Sequence, residues 1–455
     1  MEQKAHRPCY FFMAQANNYF SKRNIVLLII LGVLNTQCSQ KKVDNSAKAV
    51  VTDSAKQQVD LPPPYQTKSV RNYCKLIGWP AGKTPTAPAG FKVSEFAGNL
   101  DNPRNIYVAK NGDVFVAQAN TEVKGIKKVG AKVIGAAGSE DLNKSANNIL
   151  LFKKTAIGYA PKMVFLSGLN QPFGMLIIGN WFYVANTDGL LRYAYHPGDT
   201  KVTGQGQKIL SLPAGGYNNH WTRNLRANSD SNKIYVSVGS GSNDGEHGPT
   251  NEMRRADILE INPDGTGELV YASGLRNPAG IDFQPQTQVL YASVNERDTF
   301  GDNLVPDYLT SVKKGGFYGW PYAYFGPHPD PVNGHADPGL VKKTIVPDLS
   351  LGSHTASLGL AFYTGNSFPK RYSGGAFIGQ HGSWNSSKLV GYKVAFVPFI
   401  NGRISGPVED FLTGFIADET KETVHGRPVG IAVLPDGSIL VADDSGNKIW
   451  RVKYL

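Results

Sequence analysis

One theme recurs six times along this chain of 455 residues, and it limits the possible folds more than any other feature. A turn rich in Pro, Arg or Asn leads into a small-apolar run. A polar or Asp-Gly turn follows, then an aromatic or β-branched run. The copies are PRNIYVAKNGDVFVAQ from Pro103, QPFGMLIIGNWFYVANTDGLLRY from Gln171 and TRNLRANSDSNKIYVSVGS from Thr222. They continue with NPAGIDFQPQTQVLYASVNE from Asn277, SLGLAFYTGNSFPKRYSGGAFIGQHGSW from Ser357 and RPVGIAVLPDGSILVADDSGNKIWRV from Arg427. They recur roughly every 65 residues, more than a minimal four-stranded unit needs, so long insertions are expected at one end. A small sheet cannot bury both faces alone, and radial packing of six such sheets buries them all. The expected fold is therefore all-β, a six-bladed β-propeller. Asn111-Gly112 and Asp436-Gly437 read as hairpin turns. The final run NKIWRVKYL is expected to pair with a strand near residues 91–96 and close the ring.

Composition agrees. With 50 Gly, 28 Pro, 21 Tyr, 21 Phe and only 18% charged residues, the chain suits short strands joined by turns. The formal net charge is +11, but no basic stripe of the kind nucleic acid requires is present. Of the three cysteines, Cys9, Cys38 and Cys74, none forms a CxxC or a haem-attachment CxxCH.

The N-terminus reads as a leader. Lys22-Arg23 precede the apolar run 25–34, too short for a comfortable membrane span and suited to a signal-peptide core. Cys38 and a polar stretch follow, resembling a bacterial lipoprotein signal. The expected organisation is a signal peptide over 1–37, a flexible tether over 38–70 and a propeller domain over 71–455. The expected location is the bacterial periplasm, with contact to a membrane only through a lipid at Cys38.

The densest chemistry falls in two places. His220, in GGYNNHWTRN, sits in a Gly/Asn-rich loop at the entry to the third copy and reads as a general base or as a hydrogen-bonded loop histidine. Arg276-Asn277-Pro278 opens the fourth copy, where a planar fork of donors beside an amide suits a carboxylate or carbonyl ligand; an inter-blade ion pair is the competing reading. Arg427 holds the corresponding place in the sixth copy. After Tyr291 a loop carries Glu296, Asp298, Asp302 and Asp307, hard oxygens that suit Ca²⁺ better than Zn²⁺. Asp443-Asp444 reads as a strand-end cap. No GxSxG, Walker or HExxH motif occurs.

These residues carry a resemblance. From about residue 72 onward the chain resembles the quinoprotein glucose/sorbosone dehydrogenases, most closely the sorbosone dehydrogenase branch. The text that carries it is NHWTRN, SGLRNPAG, VNERD, LVPDYL, KGGFYGWPYAYFG, LGLAFYTG, GGAFIGQHGSWN, GYKVAFVPF and GRPVGIAV, in the family's order. The resemblance implies a six-bladed propeller that uses pyrroloquinoline quinone (PQQ) with Ca²⁺ to oxidise a sugar-like aldehyde or alcohol. Electrons would pass to an external quinone or cytochrome. It implies His220 as the base that takes the substrate's hydroxyl proton and Arg276 as the donor to the quinone oxygens. Asn277, Gln171 and Arg427 would be further cofactor contacts. It places Ca²⁺ at Glu296 and Arg297, where glucose-oxidising members carry Gly-Pro, and a further Ca²⁺ site near Asp307 and Tyr318. Two other readings fit a ring-shaped exported protein: a non-catalytic carbohydrate- or protein-binding propeller, and a Ca²⁺-dependent lactonase-type propeller.

Overall fold

The computed structural model describes residues 59–122 and 145–455. The expected signal peptide, Cys38 and most of the expected tether lie outside the described residues.

Six antiparallel sheets follow one another along the chain. The first holds Pro103–Val108, Val114–Gln118, Asn148–Phe152 and Met163–Leu166. The second holds Met175–Ile178, Trp181–Asn186, Gly189–Ala194 and Gln207–Ser211. The third holds Leu225–Ala227, Ile234–Val238, Asp257–Ile261 and Leu269–Ser273, with Gly316–Phe317 added in parallel at its edge. Gly280–Phe283, Leu290–Val294, Pro306–Ser311 and Leu349–Ser353 form the fourth. Ser357–Phe362, Ala376–Gln380, Lys393–Val397 and Glu409–Leu412 form the fifth. The sixth takes Pro428–Val433, Ile439–Asp443 and Lys448–Tyr454 from the C-terminus. Its outer strand, Phe91–Ala97, comes from the start of the body, and Phe91 pairs with Tyr454. The strand pairing expected of NKIWRVKYL is present.

Each repeat copy supplies the two inner strands of one sheet. The reason is visible in the residues: runs such as VFVAQ, IYVSV and ILVAD are buried throughout, as strands covered on both faces must be. Gly112 and Gly437 turn the first and sixth inner hairpins at φ 86° and 79°, a region a glycine enters without strain. The core is divided into six clusters, each between successive sheets. Phe115, Phe165 and Phe182 pack between the first and second, and Ile106, Val114, Leu440 and Ile449 join the sixth to the first. The innermost strands likewise touch in a cycle, Pro103–Val108 meeting both Met175–Ile178 and Pro428–Val433.

Close approach of the inner strands depends on small residues. A Cβ on Gly359 would lie 1.9 Å from the Val429 carbonyl oxygen, and one on Gly379 would lie 2.1 Å from it. Gly359→Ala is therefore expected to push the fifth and sixth sheets apart and cost about 1–3 kcal/mol. A thermal melt indistinguishable from that of the wild type would contradict this.

One boundary differs from expectation. Residues 59–70, read as the end of a flexible tether, lie along the body. Val59 and Leu61 pack against the cluster between the third and fourth sheets. The Tyr65 ring meets Phe300 edge-on at 5.3 Å, and its N–H donates to the Phe300 carbonyl at 2.9 Å. Few apolar residues suffice here because they add to a cluster that the third and fourth sheets build between them.

Candidate active site

In an antiparallel sheet the start of the first strand and the end of the second lie at the same end. His220, Arg276, Asn277, Gln171, Arg427 and Glu296 all occupy such positions. The fold therefore collects them at one mouth from four of the six sheets.

His220 is half-buried. Its Nδ1 lies 3.0 Å from the Ser240 carbonyl oxygen and 2.9 Å from Ser240 Oγ. Ser240 Oγ donates its own hydrogen to the Ser242 carbonyl at 2.7 Å. Both partners of Nδ1 are thus acceptors, so Nδ1 carries the hydrogen and Nε2 carries the lone pair. Burial first, then the nearby Arg276 charge, hold the imidazole well below its usual range. The result is a neutral histidine with a basic nitrogen. A Cβ on Gly239 would meet His220 Cβ at 2.5 Å and Asn277 Oδ1 at 2.6 Å. Glycine at that strand end lets His220 and Asn277 close on the same point.

Asn277 Oδ1 is buried without a partner among the described residues. That sets it apart from the other Arg-Asn pairs. Asn105 Nδ2 donates to the Phe173 carbonyl at 3.1 Å and Asn224 Nδ2 to the Ala279 carbonyl at 3.0 Å, each stapling one sheet to the next.

Arg276 is buried and held by hydrogen bonds to Asn243, Asn295 and Glu296. Nε donates to Asn243 O at 3.0 Å and Nη2 to Asn243 Oδ1 at 2.9 Å. Nη1 donates to Glu296 O at 2.6 Å and Asn295 O at 3.2 Å. Asp298 stands 3.7 Å from Nη2. That contact is too long for a hydrogen bond, which leaves one Nη2 N–H for the expected donation to a quinone; Arg276 also sets a positive charge beside His220.

A third group forms the opposite wall. Asp444 pairs with Arg104 and with His381, whose Nε2 is 3.0 Å from both carboxylate oxygens. Arg104 lies 5.1 Å over the Trp221 ring, next to His220. Arg427 Nε donates to the His381 carbonyl at 3.0 Å. Gln171 Nε2 donates to Asn120 O at 2.9 Å, and its φ of 46° places it in a tight turn. Asp443, by contrast, is the cap expected of it, accepting from Arg427 N at 2.7 Å and Gly446 N at 2.8 Å.

Burial, then the Arg427 charge, push the His381 imidazole down to about 4 from its ordinary 6.5. A lowered folded value means the unfolded chain binds the extra proton. Its stabilisation is complete above the unfolded value and is lost as pH falls from 6.5 towards about 4. His381→Gln is expected to flatten the acid side of the stability profile in that window, by up to about 1.4 kcal/mol per pH unit. Urea midpoints measured against pH for both proteins decide it; parallel profiles would refute it.

The donors expected for Ca²⁺ do not converge. Arg297 turns away to Asp330 and Asp244 and stacks 3.9 Å over Phe300. The Glu296 carbonyl already receives Arg276, and burial raises the Glu296 carboxyl to about 7. Asp307 accepts from Glu296 N at 2.9 Å, Ser357 N at 2.8 Å, Thr355 Oγ1 at 2.9 Å and Asn295 Nδ2 at 3.3 Å, leaving no lone pair directed outward. Tyr318 is buried at the far end of the Pro306–Ser311 strand, donating to Ser311 O at 2.6 Å. Four residues at 3.3 Å each separate Asp307 and Ser311 by about 13 Å. The pairing of Asp307 with Tyr318 is thus corrected: GGFYGWP is an edge strand and a packing anchor. Among the described residues no cluster of three or more His, Cys, Asp or Glu is placed to hold a metal. These residues do not fit Ca²⁺.

They do fit an anionic, carbonyl-bearing cofactor. Arg104 and Arg427 outnumber Asp444 at one wall. Arg104 Nε and Asn277 Oδ1 are buried without partners among the described residues. Sequence reasoning missed Arg104, Ser240, Gly239 and His381, although Arg104-Asn105 repeats the Arg-Asn signal of Arg276-Asn277, and it read Asp444 as a cap where the structure pairs it with Arg104 and His381. It also left HGSWN unexplained. Trp384 stacks on Tyr73 at 5.8 Å, and Asn385 joins Thr299 N to Ser69 and Val70. The motif ties the chain's first described segment to the loop after Glu296. A cleft of about 980 Å³ reaching Thr355 and Tyr392 is lined by Asp302 of the acidic loop and by none of the residues expected to touch the cofactor.

Six β-sheets whose innermost strands touch in a cycle hold a histidine, an enclosed guanidinium and an amide oxygen unpartnered among the described residues at one end, and the protein is all-β. The chain belongs to the TrAA12-like family, whose model matches residues 85–306 and 329–455. It is 32% identical over 376 residues to an uncharacterized protein of Borreliella burgdorferi, covering 82% of this chain and 91% of that one. Its fold is shared with the holo form of the pyranose dehydrogenase PQQ domain from Coprinopsis cinerea. There the TM-score is 0.65 at 19% identity, covering 84% of this chain and 100% of that one. The PQQ-bound aldose sugar dehydrogenase of Streptomyces coelicolor gives 0.53 at 16% identity, with 81% and 99% covered. The resemblance to quinoprotein sugar dehydrogenases read from the sequence therefore holds.

Proposed function

We propose that this protein is a PQQ-dependent dehydrogenase of a sugar or sugar-like aldehyde, built on a six-bladed β-propeller. The carrying observation is the setting of His220: Nδ1 is held by Ser240, Nε2 has no hydrogen-bond partner among the described residues, and a buried cation and an unpartnered amide oxygen stand beside it. Bound PQQ would supply a two-electron acceptor for the hydride leaving the substrate carbon. His220 Nε2 takes the proton of the substrate hydroxyl, and Ser240 holds the ring by Nδ1 throughout. Arg276 offers positive charge to the negative charge that develops, a contribution magnified by burial. Arg104 and Arg427 would supply positive charge to the cofactor's carboxylates, and Asn277 would hold it by its side-chain amide. No step uses Ca²⁺.

The leader over 25–34 and Cys38 support export to the periplasm, with a lipid anchor, and electrons then leave to an external acceptor. Dye-linked oxidation of a panel of aldoses and sugar aldehydes, sorbosone included, tests the reading. PQQ-loaded protein should reduce the dye and apo-protein should not. Because Arg276 sits on the Glu296 carbonyl, PQQ affinity is expected to be the same in EDTA as in added Ca²⁺. A titration of quinone absorbance that needs Ca²⁺ would contradict that.

A further inference from the structure

We propose that Arg223 and Arg255 are positioning residues that hold the His220 loop from beneath and keep His220 an uncharged proton acceptor through their charge. This rests on the reading of His220 as the base. Arg223 is wholly buried. Nη1 donates to the His220 carbonyl at 2.7 Å and the Thr222 carbonyl at 3.0 Å. Nη2 donates to Pro213 O at 2.8 Å and Asn218 Oδ1 at 3.0 Å. Arg255 donates to the same Asn218 Oδ1 at 2.7 Å and to Gly215 O at 3.4 Å. Every side-chain bond of the pair thus lands on residues 213–222, the segment that carries His220.

Neither guanidinium forms an ion pair among the described residues. Burying an unpaired charge is costly, and a nearby carboxylate would relieve that cost. It would also stabilise an imidazolium at His220, which would then enter the reaction already protonated. The surroundings of His220 follow the opposite rule. Ser240, a neutral acceptor, holds Nδ1. Arg276 faces it from the fourth sheet, and Arg223 and Arg255 from the third. Glu252, the acid of the adjoining loop, is held by Gly241 N at 2.8 Å, Ser242 Oγ at 2.5 Å and Asn251 Nδ2 at 3.1 Å. Burial, with Arg255 beside it, lowers the Arg223 guanidinium to about 9, so it still bears its charge at neutral pH.

The test is a histidine NMR titration of the folded protein, with the His220 resonance assigned by its loss in His220→Gln. Arg223→Gln and Arg255→Gln should each move the His220 midpoint up by about one pH unit. Arg223→Lys should move it less. In PQQ-loaded protein the acid limb of kcat/KM for an aldose should move in the same direction. A purely structural bracket would weaken the fold and leave both midpoints in place; that outcome in Arg255→Gln, the less enclosed site, overturns the inference even if Arg223→Gln does not fold. Full dye reduction by His220→Gln would instead overturn the assignment of His220 as base, and this inference with it.

Discussion

His220→Gln is expected to lower kcat/KM for aldose oxidation by about 10²–10⁴-fold, the usual contribution of a positioned general base. Glutamine matches the imidazole roughly in size and can still donate to Ser240, so the loop should keep its shape. What it lacks is a basic nitrogen. PQQ should therefore still bind, and the loss should fall on kcat rather than KM. The pH profile separates this from a packing defect. The wild type should show an acid limb below 6.5, because burial and Arg276 hold the imidazole low. As pH falls through that limb the imidazole gains a proton and stops accepting one from substrate. In His220→Gln the base that titrates there is gone, and the residual rate should lose the His220 limb. A variant within threefold of wild type, or one retaining the limb, would remove His220 from the chemistry; that margin is about 0.7 kcal/mol in barrier height.

Asp307→Ala is expected to cost about 3–5 kcal/mol of stability, since buried donors that lose their acceptor cost about 1–3 kcal/mol each. Its carboxylate is 1% exposed and accepts from four donors. Two donors, Glu296 N and Asn295 Nδ2, lie on the loop leaving the fourth sheet. The other two, Thr355 Oγ1 and Ser357 N, lie at the entry to the fifth. Alanine would leave the buried Glu296 and Ser357 N–H groups without this acceptor, while Thr355 Oγ1 keeps Ser357 Oγ at 2.9 Å. Because Glu296 and Asn295 carry the carbonyls that hold Arg276, the loop should loosen around the site as well. Urea unfolding should show a lower midpoint, and Asp307→Asn, which keeps part of the acceptor capacity, should fall between. An unchanged midpoint for the alanine variant would show that the loop finds its order elsewhere.

Much of the fold was legible because it rests on repetition. Alternating and continuous apolar runs mark the inner hairpins of all six sheets, and NKIWRVKYL announces its own partner strand. The site was legible in part. His220, Arg276 and Asn277 lie in loops whose residue types have few structural uses, and the fold brings them together. Tyr318 misled because its neighbours GG and GWP punctuate an edge strand, a pattern that looks like a functional loop in one dimension. Asp307 misled differently: an acid in a polar loop looks like a ligand for metal, and only three dimensions show four protein donors already filling it. The pairing of Arg104 with Asp444 was missed because the two lie 340 residues apart and acquire this meaning only together. Residues 59–70 read as tether because the groove that receives them comes from residues near Phe300.

The most direct test is anaerobic mixing of the PQQ-loaded protein with an aldose in a stopped-flow spectrometer, without added Ca²⁺. The bound quinone should lose its oxidised absorbance in a single turnover. It should do so with a rate that falls as pH drops through the His220 limb, and it should recover when an electron-accepting dye is added. A protein that binds the quinone tightly and leaves it oxidised in the presence of every aldose and sugar aldehyde tried would contradict the dehydrogenase account and leave a ring that holds its ligand without reacting.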